Sequence, residues 1–232
     1  MLVIPFAAGL VGLVFSLFVL RQWWWRRKPY QFAWGVALAM FALAAVTEGM
    51  AGTVGWSDAS YRLYYLFGGL LDVLWLGAGS VLILLRQRGA AAVLLVVGVV
   101  SAVAIVGIAA APVHGALLHQ AVPPRGAIDG IGPILAPITN SLGSLALIGG
   151  AAWSAWTARR HGAARNRVGG LVLIAGGAFV AAAAHGLGGE VAGIRVLAPI
   201  GELVAIAVMF CGYLVLESPL RVGQRRAAEG RT

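Results

Sequence analysis

The chain has 232 residues, of which 60% are hydrophobic and only 11% charged, and its mean hydropathy is +0.90. That balance excludes an ordinary soluble domain. A formal charge of +9 would suit nucleic acid, but the basic residues are parcelled among short stretches between apolar runs. There they orient a membrane protein and meet anionic lipid, at roughly 1 kcal/mol each, so nucleic acid is not an expected partner.

Seven apolar runs predict seven transmembrane helices, at about 2–20, 31–52, 62–85, 89–111, 132–157, 168–187 and 196–216. Each is near the roughly 20 residues that cross about 30 Å of hydrocarbon. A β-barrel would need short segments of alternating polarity, which are missing. The first run has no basic n-region, and Arg21-Gln22-Trp23-Trp24-Trp25-Arg26-Arg27-Lys28 follows it where a cleavage site would stand, so it reads as a retained helix with a tryptophan anchor. The second run carries Glu48 and the third Asp72. The fourth holds only aliphatic and small residues plus Ser101, which suits a peripheral linker or a lipid- or partner-facing helix. A loop at about 112–131 contains His114, His119 and Asp129, too few ligands to predict a metal site. The fifth run carries Asn140, with Pro133 and Pro137 in its first turns, where a missing N–H costs little. The sixth ends near His185, and the seventh begins near Pro199 and carries Glu202. The lone cysteine, Cys211, permits no internal disulfide, and Arg221–Thr232 reads as a basic tail.

Fourteen of the seventeen basic residues fall after the first, third, fifth and seventh runs; only Arg62, Arg125 and Arg195 fall at the other boundaries. Short loops rich in Lys and Arg stay in the cytoplasm. The expected topology therefore has the N-terminus outside and the C-terminus inside, in a multi-pass protein of a bacterial inner membrane.

An ionisable side chain in a span costs at least roughly 2.5–3.5 kcal/mol near the bilayer centre, so it usually faces the bundle interior and serves a task. By depth, Glu48, Asp72, Glu202, Asn140 and His185 share the outer half of the membrane, each on a different span. On the third span Tyr61, Tyr65, Gly68, Asp72, Trp75 and Gly79 follow helical steps of three and four. On the seventh, Glu202, Ile206, Met209, Tyr213 and Glu217 do the same. The candidate site is therefore Asp72, Glu48, Glu202, Asn140, His185, Tyr65, Trp75 and Tyr213, arranged as an outward-opening acidic vestibule for a small solute, a cation or a proton. Carboxylates crowded away from water repel one another, which favours proton coupling. The alternative is that Glu48 and Glu202 pair with Arg62, Arg195 or His185 and only lock helices together. Glu217, beside Pro219, reads as a solvated helix end. No catalytic motif and no bound cofactor is expected, because no nucleophile elbow, phosphate loop, zinc helix or facing histidine pair is present.

The chain also looks duplicated. Trp23-Trp24-Trp25-Arg26-Arg27 aligns with Trp156-Thr157-Ala158-Arg159-Arg160, and residues 45–52 align with 182–189. These matches place the first three spans on the last three, with the fourth as a linker that restores their direction: a parallel 3+1+3 repeat. In architecture this resembles the SWEET-type sugar transporters and the bacterial vitamin transporters of similar design. The resemblance implies a pseudo-two-fold axis along the membrane normal. The proline-glutamine pair of the PQ-loop relatives is replaced by Pro29-Tyr30-Gln31, so no binding residue is carried over. Microbial rhodopsins share the span count and orientation, but they hold retinal on a lysine of the last span, and the only lysine here is Lys28. Two functions stay open, a carrier of a small solute or cation and a non-transporting sensor or accessory subunit; an intramembrane hydrolase comes third. Partners beyond the lipid bilayer, whether a second copy or a larger membrane complex, also stay open.

Overall fold

The computed structural model describes residues 3–85, 87–119, 126–187 and 198–229, with side chains described at all of these except 87, 185–187 and 218–229. Among the described residues, seven helices are long and apolar enough to cross a membrane, which fits a multi-pass membrane protein. They are α1 (Val3–Arg26), α2 (Pro29–Val54), α3 (Asp58–Leu84), α4 (Gln87–Ala110), α5 (Gly132–Arg160), α6 (Arg165–Leu187) and α7 (Ala198–Glu229).

Most helices outrun their apolar segments, because interfacial Arg continues the backbone ladder as readily as Leu does and Trp costs it little. Arg27, at φ 52°, turns the chain from α1 into α2, and Pro29 then occupies a first-turn position that needs no N–H. Gly55 (φ 89°) ends α2. Ser57 caps α3 in a reciprocal box: its hydroxyl accepts from the Ser60 N–H at 3.1 Å, and the Ser60 hydroxyl accepts from the Ser57 N–H at 2.9 Å. Helix α7 continues to Glu229, so most of the basic stretch after the seventh apolar run is helical. Pro137 stands inside α5 rather than at its start, since that helix begins at Gly132.

Six helices close a ring. Helix α1 packs on α2, α2 on α3, α3 on α5, α5 on α6, α6 on α7, and α7 returns to α1. Helix α4 lies outside this ring, against α3 and the start of α5, and turns Leu95, Val96, Val99 and Val106 outward. Without a hydrophobic drive between helices in lipid, close backbone approach has to hold the ring. At the α3–α5 crossing a Cβ on Gly77 would stand 2.6 Å from the Gly143 Cα, and one on Gly143 would stand 2.3 Å from the Val73 carbonyl. Gly170 and Gly212 serve the α6–α7 crossing in the same way.

The described parts of the α4–α5 connection are folded. Val113 bridges to Ile128, a 3-10 turn spans Gly115–His119, and Leu118, Ala127 and Ile128 are buried with Trp56, Tyr61 and Ile108. His114 pairs at the surface with Asp129 at 2.7 Å. At the opposite, basic end Arg27 lies over the rings of Trp23 and Trp24, and Arg160 over Trp156, at 4.0–5.1 Å. That places cation–π contacts in an aromatic belt.

Candidate functional site

Helix α3 breaks its own period just before Asp72. Residues Phe67–Leu71 form a π turn, in which the Asp72 N–H reaches back five residues to the Phe67 carbonyl. Gly68 and Gly69 sit in this wide turn, which adds about one residue to the helix. Its backbone groups are recruited by side chains. Asn140 Nδ2, on α5, donates to the Gly69 carbonyl at 2.9 Å, and Asp72 Oδ1 accepts from the Val73 N–H at 2.6 Å. Asp72 is thereby fixed at mid-helix and is only 4% exposed.

The π turn also decides which aromatic residue meets the carboxylates. Tyr64, Gly68 and Asp72 come onto one face, and with Phe41, Glu48 and Glu202 they bound a void of about 10 Å³, hardly enough for one water. The three carboxylates of α2, α3 and α7 thus converge.

Asp72 and Glu202 also line a larger cavity of about 750 Å³ between α2, α3, α5, α6 and α7. Asn140, Ser141 and Ser144 supply the rest of its polar wall, and Leu38, Phe41, Leu76, Leu147, Ile206 and Met209 much of its apolar wall. The Asn140 amide is committed through its nitrogen to Gly69, and its Oδ1 is buried with no hydrogen-bond partner. Among the described residues lining this cavity none is basic. Arg62, one of the arginines expected to neutralise Glu48 or Glu202, is engaged elsewhere. It binds Asp58 at 2.8 Å and donates to the carbonyls of Ile108 and Ala109. Arg195 and the His185 side chain, the other expected partners, lie outside the described residues.

Three expected site residues stand elsewhere. Trp75 donates through Nε1 to Ser101 Oγ on α4 at 3.1 Å, and Tyr65 packs beside Tyr61 and Gly132. Both were placed with Asp72 by counting in regular α-helical steps. The π turn lies between Tyr65 and Asp72 and rotates Tyr65 off that face, whereas Trp75, three residues past Asp72 on regular helix, stands about 60° round from it, toward α4. Tyr64 takes the position instead. Tyr213 lies in the other half of the protein, against Phe15 at a ring distance of 5.2 Å.

There Tyr213 lines a second cavity, of about 990 Å³, with Gln22, Arg26, Trp34, His161, Arg167 and Glu217. It belongs to the basic end of the bundle. Its Glu217 is not a solvated helix end: the side chain is 18% exposed, accepts from Gln22 Nε2, and lies 3.8 Å from Arg26. Gln22 in turn accepts from the fully buried Gln31, so a polar chain ties α1, α2 and α7 together. Between the two cavities lies a packed apolar cluster. Leu38, Leu147, Ile206 and Met209 face the acidic cavity, while Trp34 and Tyr213 face the basic one. Trp34 Nε1 donates across this layer to the Leu76 carbonyl at 3.0 Å.

Comparison with known proteins adds no relative: no family model matches the chain, and neither do the curated proteins or the solved structures. The likeness to SWEET-type transporters therefore stays one of helix number.

Proposed function

We propose that the protein is a carrier which binds and moves a small solute or cation across a bacterial inner membrane, with its N-terminus outside, its C-terminus inside and the acidic cavity on the outer side. The observation that carries this reading is the pair of cavities in opposite halves of the bundle, divided by a closed apolar layer. A carrier needs a solute site that opens to one side at a time, and the Leu38–Met209 layer with the Trp34 hydrogen bond would be the barrier. The Gln31–Gln22–Glu217–Arg26 chain would tie the basic end shut and part when that end opens. Asp72, Glu48 and Glu202 are the groups through which a proton gradient would couple to movement.

The order of packing supports a parallel 3+1+3 design. Exchanging α1 with α5, α2 with α6 and α3 with α7 maps the α1–α2 contact onto α5–α6, α2–α3 onto α6–α7, and α1–α7 onto α5–α3. Helix α4 alone has no counterpart, as a linker would not. A helix-locking accessory subunit would leave no cavity beside its membrane carboxylates, and the acidic cavity is large.

Asp72→Asn tests the reading. In proteoliposomes the variant should lose solute-dependent uptake or proton movement while keeping the wild-type elution profile and helical content. Wild-type flux in the variant would remove Asp72 from the mechanism.

A further inference from the structure

We propose that the basic cavity binds a phosphate group. This goes beyond the carrier reading and does not rest on it, since a sensor or a subunit would use such a site equally well. The cavity, of about 990 Å³, lies inside the ring, with all six ring helices in its wall. Its charged groups are unequal, because Arg26 and Arg167 stand against one carboxylate, Glu217. That carboxylate is already answered by Arg26 at 3.8 Å and by Gln22 Nε2. Arg167, on α6, is exposed and joins none of the ion pairs among the described residues, so its guanidinium is available to a ligand. An anion entering here meets a surplus of positive charge, and a cation meets repulsion.

The donors come from separate helices, which favours an oxyanion whose oxygens point several ways. Arg167 offers its planar fork from α6, and Arg26 offers one from α1. His161 follows the end of α5 and lines the same cavity. Its Nδ1 lies 2.8 Å from the Thr157 carbonyl, which can only accept, so Nδ1 carries a proton and Nε2 is left for a ligand. Gly162 (φ 67°) then turns the chain toward α6, with the Ala163 N–H donating back to the Ala158 carbonyl at 2.9 Å. Ala164 accepts the first bond of α6, from the Arg167 N–H at 2.9 Å, but has no side-chain oxygen to cap that helix. The first N–H groups of α6 therefore stay open at its positive end and add to the charge of Arg167. A tetrahedral phosphate can meet such donors with three oxygens, whereas a planar carboxylate has two. Trp34, Leu171 and Leu216 give the cavity an apolar wall for the body that carries the phosphate. A small molecule from water and the headgroup of an anionic lipid both present this chemistry.

The experiment is calorimetric titration of the full chain in dodecyl maltoside, a detergent without phosphate, with phenyl phosphate, benzoate, phenol and benzylamine. The expected result is saturable binding of phenyl phosphate, about tenfold or more tighter than benzoate or phenol, with benzylamine inert. Arg167→Ala should weaken phenyl phosphate by about tenfold or more. Arg165→Ala removes the same charge two residues away, outside the cavity wall, and should change the affinity by less than about twofold. Should Arg167→Ala fail to fold, the compound series decides alone. Native mass spectrometry with added phosphatidylglycerol separates the two sources. A lipid adduct that needs Arg167 and is displaced by phenyl phosphate assigns the site to a headgroup, and no such adduct assigns it to a free phosphate compound. Absence of phenyl phosphate binding, equal affinity for benzoate or phenol, or a loss in Arg165→Ala as large as in Arg167→Ala overturns the assignment. None of these readouts is a flux, so the carrier reading stands or falls separately.

Discussion

Asn140 joins the backbone of α3 to the wall of the acidic cavity with a single amide. Its nitrogen satisfies the Gly69 carbonyl across the α3–α5 crossing, at 2.9 Å. Asn140→Ala would leave that carbonyl without its cross-helix donor, and an unsatisfied buried polar group costs about 1–3 kcal/mol. The variant should unfold correspondingly earlier in detergent, and Asn140→Asp, which cannot donate, should do no better than alanine. An unchanged unfolding midpoint in both would show that the π turn stands without this bond. That Asn140, Glu48, Asp72 and Glu202 deserved notice was legible in the sequence, because polar groups in hydrocarbon are costly enough to stand out. Their partners were not. The bond from Asn140 runs to a backbone atom, and the link from Gln22 to Glu217 joins residues 195 positions apart.

Helices and their crossings follow from sequence wherever a period is regular, and α3 marks where that fails. Counting in threes and fours put Tyr65, Asp72 and Trp75 on one face. One π turn before Asp72 is enough to bring Tyr64 there in place of Tyr65, while Trp75, on the regular helix past Asp72, turns to Ser101 of α4. No residue pattern announced that turn beyond the pair Gly68-Gly69, which reads equally well as a packing site. The glycines themselves divide by neighbour rather than by spacing. Gly143 faces the Val73 carbonyl at 2.3 Å from a would-be Cβ, whereas Gly149, two turns on along the same helix, has nothing within 4 Å. Gly143→Ala must push α3 and α5 apart and should destabilise by about 1–3 kcal/mol. Gly149→Ala should be neutral or stabilise by up to about 1 kcal/mol, as alanine replaces glycine in a helix. Thermal unfolding of the two variants side by side checks this, and equal destabilisation would mean that the α3–α5 crossing is looser than its glycines imply.

At the scale of the whole molecule, seven spans were legible because membrane crossing demands long apolar runs, and the alternation of arginines gave them an expected direction. The ring order was not, since apolar faces in lipid carry no address; it depends on which small residues meet across helices. From the ring come two cavities, and from their separation a prediction about access. The only cysteine, Cys211, is exposed, so Cys211→Ser gives a background in which single cysteines can be placed at will. Ser144→Cys puts a thiol in the acidic cavity, and Thr157→Cys puts one in the basic cavity. In sealed vesicles of known orientation, a membrane-impermeant maleimide should modify the first only from the side away from Arg26 and the second only from the side of Arg26. Modification of both from one side would describe a continuous water-filled path, and a channel rather than a carrier. No modification at Ser144→Cys from either side would mean that the acidic cavity is shut off from water and that its carboxylates serve the bundle alone. An opposite-sided pattern that shifts when the carried solute is added, slower at one thiol and faster at the other, is the outcome that two cavities around one closed layer require.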